Sequence, residues 1–237
     1  MLQVTSMNKQ LEKLPRGSLR FIRLALFGLL FVGSQSHSQE AGIQEAEVFE
    51  GGQVPLPALS GKRIDRDWFR YVNPRFGLAI DIPARGYRYV LPVNGSGMAV
   101  TSGDEKIGIT IYVHFVVNHP VFIADPDDPD LRNAAAAISR IYDHDVAGTL
   151  ATGSTITYSV KKKDFYVLAG HFKDKAGQDT TYYERYTISP RCPHVFSSFR
   201  IIYPKSKERE LSKFVTRLSR SLRATCQGED SFPHNIN

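Results

Sequence analysis

Between Ile107 and Val117 every second residue is aliphatic or aromatic: Ile107, Ile109, Ile111, Val113, Phe115 and Val117. A period of two is the spacing of one face of a β-strand, whereas a helix brings residues three and four apart onto one side. The other face, with Thr110, Tyr112, His114 and Val116, is mixed rather than hydrophilic. That predicts a central strand covered on both sides. A strand of this kind needs neighbours at its edges and layers on its faces, so the remaining sequence has to supply both.

Strands are readily found. Phe76, Leu78, Ile80 and Ile82 alternate with Gly77, Ala79 and Asp81 until Pro83 stops the run, and Asn94-Gly-Ser-Gly97 reads as a turn. In the second half, residues 155–161, 165–172, 180–189 and 195–203 are β-rich and separated by charged or glycine-bearing turns such as Asp174–Gln178. They read as an antiparallel meander. Two segments have helical spacing. Leu131, Ala134, Ile138, Ile141 and Tyr142 mark one face of a helix that Asp128 can cap, with Pro129 at its first position, ending before Gly148. Leu211, Phe214, Val215, Leu218 and Leu222 mark a closing helix that needs a sheet to lie on. The expected fold class is α+β, an antiparallel β-sheet flanked by helices, in one domain.

Two segments carry a family resemblance. Tyr71-Val-Asn-Pro-Arg-Phe-Gly-Leu-Ala-Ile-Asp-Ile-Pro83 resembles the opening of exported single-domain proteins found in rhizobia and related bacteria. Tyr203-Pro204, followed by a helix that ends Ser219-Arg-Ser-Leu222, resembles their ending. The resemblance spans roughly residues 68–223, with scaffold motifs rather than catalytic ones. More distantly the pattern is similar to the PsbP-like fold, shared by an extrinsic photosystem II subunit and a Ran-binding nuclear import factor. It implies a history of binding roles, and no functional residue carries over from it.

The N-terminus reads as an export signal. Lys9, Lys13, Arg16, Arg20 and Arg23, opposed only by Glu12, precede the apolar run Leu24–Val32, and small residues follow at Ser34, Ser36 and Ser38. Nine apolar residues are too few to span a bilayer. Residues 1–38 are therefore assigned to a signal peptide, and a periplasmic or secreted location is expected. Residues 39–64, polar and rich in Gly and Pro, are assigned to a flexible linker, 65–226 to the domain and 227–237 to a flexible tail.

Loss of the signal removes five bases and one acid, so the formal charge of +6 falls to +2. That removes most of the support for a protein-wide electrostatic case for nucleic-acid binding, and no nucleic-acid partner is expected. No other stretch is long and apolar enough for a membrane span. Cys192 and Cys226, an even pair in an oxidising compartment, are expected to form a disulfide. Closing a loop of that length is worth roughly 3–4 kcal/mol in the chain-entropy model.

Signals of chemistry are sparse. Asp125, Asp127, Asp128 and Asp130 lack the EF-hand pattern, because Pro129 and Asp130 occupy the fifth and sixth loop positions. They read as a helix-capping loop. His114, His119, His144, His171 and His194 show no metal-ligand spacing, and no nucleophile elbow or phosphate loop is present. No cofactor is expected. Tyr158, Tyr166, Tyr182, Tyr183 and Tyr186 lie on neighbouring strands and suggest either a groove or helix packing.

The clearest interaction feature is Arg209, Lys213, Arg217 and Arg220, recurring at helical spacing away from the apolar face of the last helix. Such a ridge suits an acidic envelope protein, an anionic polymer or lipid headgroups. The sequence therefore favours an exported non-catalytic binding domain. The alternatives are a small exported hydrolase with an assembled site using His114 or His171, and a structural or stress-related envelope protein.

Overall fold

A computed structural model describes residues 51–123, 125, 127–189 and 192–224, all within the second of two units into which the chain divides, residues 41–237. The expected signal peptide, residues 39–50 of the linker, Cys226 and the tail lie outside the described residues.

The expected α+β arrangement is the one observed. Eight antiparallel strands form the larger sheet in the order β1 (Gly51–Val54), β5 (Tyr87–Pro92), β6 (Gly97–Ser102), β7 (Gly108–Phe115), β11 (Cys192–Pro204), β10 (Asp179–Ser189), β9 (Phe165–Lys173) and β8 (Thr155–Lys161). A smaller antiparallel sheet runs β12 (Arg223–Ala224), β4 (Leu78–Pro83), β3 (Trp68–Asn73) and β2 (Gly61–Arg63). Three α-helices are described: α1 (Pro120–Ile123), α2 (Ala134–Ala151) and α3 (Glu208–Ser221).

Two cores explain why both faces of the large sheet are apolar. On one side Ile109, Ile111, Val113, Phe199 and Ile201 meet Phe69, Ile80 and Ile82 of the small sheet and Leu211, Val215 and Leu218 of α3. On the other, Tyr166, Leu168, Tyr182, Ile188 and Phe196 meet Ala137, Ile138 and Ile141 of α2. The long run at Ile107–Val117 becomes β7, fourth of eight strands, followed by a short 3-10 turn at Val116–Asn118. Its cover on the second face is partial. Thr110 is buried, but Tyr112 and His114 are half-buried, because α2 packs mainly over β8–β11.

Three boundaries differ from expectation for identifiable reasons. Residues 51–63 are not a linker: β1 pairs with β5 and β2 with β3, and Leu56 and Leu59 are buried. Elements of three or four residues are too short for periodicity to register among Gly and Pro. Asp128 does act as a cap, accepting from the Asp130 amide at 2.9 Å, but the turn it caps is 3-10 (Pro129–Arg132). The α-helix is capped by Asn133, whose side chain accepts from the Ala135 and Ala136 amides at 3.0 and 3.3 Å. That helix runs through Gly148 to Ala151. A glycine inside a helix costs only about 1 kcal/mol, and tertiary contacts override it.

Candidate functional site

The last helix was the expected interaction surface. At about 100° per residue, Lys213, Thr216 and Arg220 fall within about 40° of Arg209, on the side opposite Leu211, Val215 and Leu218. Arg209, Lys213, Thr216 and Arg220 are all exposed. Arg217 lies about 80° round, on the flank of the helix, and it does not join them. Its Nε donates to Asp81 Oδ2 at 3.3 Å, its outer nitrogens reach Asp65 at 3.4 Å, and its guanidinium lies 4.4 Å from the Trp68 ring centroid. The expected ridge of four is therefore three cations with Thr216 between them, and Arg217 fastens the helix to β3 and β4. Arg70 holds the other oxygen of Asp81. These two guanidinium groups are why Asp81 can be buried on β4.

The second constellation is one the sequence did not reveal. Ile138, Ile141 and Asp145 are spaced i, i+3, i+7, so the helix that buries two isoleucines also turns the Asp145 carboxylate toward the sheet. There Asp145 Oδ1 lies 3.5 Å from His119 Nε2 and 3.1 Å from His144 Nδ1. Tyr166 donates its hydroxyl to Asp145 Oδ2. The His119 and His144 rings stand nearly perpendicular, centroids 5.3 Å apart, with Phe196 against His119. His119 enters from the turn after Val116–Asn118, its amide donating to Val116 O. Tyr166 is stacked on Tyr186 at 4.7 Å. One ligating atom from each of His119, His144 and Asp145 lies within 4.8 Å of the others.

The electrostatics follow the burial. Asp145 is half-buried, and its desolvation opposes ionisation, but hydrogen bonds from His119, His144 and Tyr166 outweigh that and hold its carboxyl below the usual range. The same carboxylate raises the His144 imidazole. Burial, and then Asp145, push the Tyr166 phenol well up. Deeper in the sheet, burial pushes the Glu184 carboxyl up, with the Arg200 Nε 4.0 Å away opposing it only in part.

Other expected residues are dispersed. His114 packs between Tyr112 and Phe196 on the α2 face, whereas His171 alternates with Tyr166 and Leu168 and so points to the other face. The two histidines of the hydrolase reading are not brought together. The tyrosines divide likewise: Tyr166, Tyr182 and Tyr186 pack on the α2 side, while Tyr183 packs on Phe199 and shares a hydrogen bond with Ser219 of α3. Asp128 and Asp130 pair with Arg140. Cys192 is buried and is not a free thiol, and its expected partner lies outside the described residues.

No family model matches the chain, and neither does any curated protein. Among solved structures it is similar to the solution structure of cyanobacterial PsbP (CyanoP) from Synechocystis sp. PCC 6803. The TM-score is 0.44 and the identity 10%, covering 71% of this chain and 99% of that one. It is similar also to the Ran-binding protein Mog1p of Saccharomyces cerevisiae, with a TM-score of 0.40 and 8% identity, covering 63% of this chain and 91% of that one. These are likenesses in the overall arrangement of the chain, and they transfer no residue, ligand or partner.

Proposed function

We propose that this chain is an exported, non-catalytic binding domain that meets an anionic component of the cell envelope through the outer face of α3. The observation that carries the reading is the row Arg209, Lys213 and Arg220. It extends over about 16 Å of helix at 1.5 Å per residue, all exposed, on a helix anchored by its apolar face and by Arg217. Among the described residues none of the three pairs with an acid, whereas Arg217 and Lys207 both do. A row of cations on an anchored helix loses little backbone freedom when it meets an anionic surface. Glu208 and Glu210 lie in the first turn of the helix, where the macrodipole favours acids, and so serve helix stability.

Export is supported by the basic and apolar pattern of residues 1–38 and by the resemblance of Tyr71–Pro83 and Tyr203–Leu222 to exported rhizobial proteins. A Cys192–Cys226 disulfide fits the same compartment. The test compares the purified mature chain with a variant carrying Arg209→Glu, Lys213→Glu and Arg220→Glu for binding to isolated envelope fractions. Binding is expected to fall as salt rises from 50 to 300 mM and to vanish in the variant. Equal retention of the two proteins at all salt concentrations would refute it.

A further inference from the structure

We propose that His119, His144 and Asp145 form a binding site for one divalent transition-metal ion, with zinc as its reference ion. Two imidazole nitrogens and one carboxylate oxygen are the donor set that suits zinc, nickel, copper(II) or cobalt(II). A single carboxylate is too little oxygen for calcium or magnesium. With metal–ligand bonds of about 2.0–2.1 Å, the ligand atoms of a tetrahedral site stand roughly 3.3–3.4 Å apart. Two of the three edges already have nearly that length: His119 Nε2 to Asp145 Oδ1 at 3.5 Å and His144 Nδ1 to Asp145 Oδ1 at 3.1 Å. The third is within 4.8 Å, and the side chain that must turn to close it, His144, is the most exposed of the three at 44%.

The surroundings are those of a held ligand set. The Tyr166 hydroxyl occupies Asp145 Oδ2 and leaves Oδ1 for the ion, fixing the carboxylate from behind. Phe196 fixes the plane of the His119 ring. The Val121 amide donates to His119 Nδ1 at 3.4 Å, a long bond that is given up when Nε2 binds the ion and Nδ1 carries the proton. His119 and Asp145 close the inner side at 8% and 18% exposure, and the side beside His144 is open to water, which completes four-coordination. The site is on the α2 side of the large sheet, and α3 packs on the opposite side, so it is independent of the basic row.

The experiment uses the mature chain without a polyhistidine tag, stripped with chelator and titrated with Zn²⁺ alone by calorimetry. Co²⁺ absorption is recorded in parallel as a report on coordination. One ion per chain is expected. His119→Ala and Asp145→Asn should each weaken binding at least 100-fold. His144→Ala, at the half-exposed position, should keep the circular dichroism of the wild type and weaken binding 10-fold or more. His114→Ala and His171→Ala should bind as the wild type does. Absence of stoichiometric binding would overturn the proposal and leave a hydrogen-bonded core network. Wild-type affinity in folded His144→Ala and His119→Ala would overturn it too, by placing the ion elsewhere.

Discussion

Replacing Asp81 with alanine tests how the final helix is fastened to the small sheet. Asp81 lies on β4 with its side chain 8% exposed, and it takes Arg70 on one oxygen and Arg217 on the other. A hydrogen bond to a charged group contributes about 1.5–3 kcal/mol. Both guanidinium groups are more than a third exposed, at 39% and 35%, so solvent screening places each bond at the lower end. Loss of two such bonds, with two like charges left facing one another, amounts to about 2–4 kcal/mol. Arg217→Ala removes one of those bonds, the solvent-screened contacts to Asp65 and the packing on Trp68, but Arg70 still neutralises Asp81, so its cost is about 1–2 kcal/mol. Urea unfolding followed by circular dichroism measures both, provided the m-value is unchanged. The double variant should recover about 1 kcal/mol relative to the sum, since one loss is then counted twice. An Asp81→Ala cost no larger than that of Arg217→Ala would refute the reasoning. So would strict additivity of the two.

Three more perturbations probe other parts of the account. A Cβ at Gly170 would collide with the Thr155 carbonyl oxygen and lie 2.9 Å from the Tyr182 hydroxyl. Gly170→Ala should therefore cost about 1–3 kcal/mol and raise hydrogen exchange in β8, and wild-type exchange there would contradict it. Glu184→Gln should alter how stability varies with pH. Burial raises the folded carboxyl, with Arg200 opposing and Asp145 adding to the shift, so its contribution is fully present below the unfolded value near ~4.3 and is lost as pH rises through the folded value. The wild type should lose stability relative to the Gln variant across that interval, and parallel curves from pH 4 to 8 would sink the assignment. Tyr166→Phe should leave the fold intact and weaken Zn²⁺ binding about 10- to 100-fold, since it frees the outer oxygen of Asp145; unchanged affinity would count against that role.

What could be read in the sequence tracks the length of each pattern. β7, β8, β9, β10 and α3 are long enough for a period of two or of 3.6 to stand out, and their described bounds differ from the expected ones by a few residues at most. β1, β2 and the turn holding Leu56 are too short for that, and only pairing with β5 and β3 defines them. Arg217 was legible as basic and helical but not as structural, because its role depends on Asp81, 136 residues away in sequence. The metal-ligating cluster was hidden for the same reason: His119 comes from a turn and His144 and Asp145 from a helix, with no fixed spacing between them. One local signal was available. An aspartate at the i+4 position from Ile141, on the buried face of α2, requires a partner in the core.

The central claim, that the outer face of α3 meets an anionic envelope component, is tested most directly from Thr216, which is exposed between Lys213 and Arg220. A photo-crosslinking amino acid replaces Thr216 in intact cells, in the wild-type background and with Arg209→Glu, Lys213→Glu and Arg220→Glu. The account predicts one dominant adduct that is lost in the charge-reversed chain while its circular dichroism and export are unchanged. The same adduct at equal yield from both chains, or none from either, would contradict it.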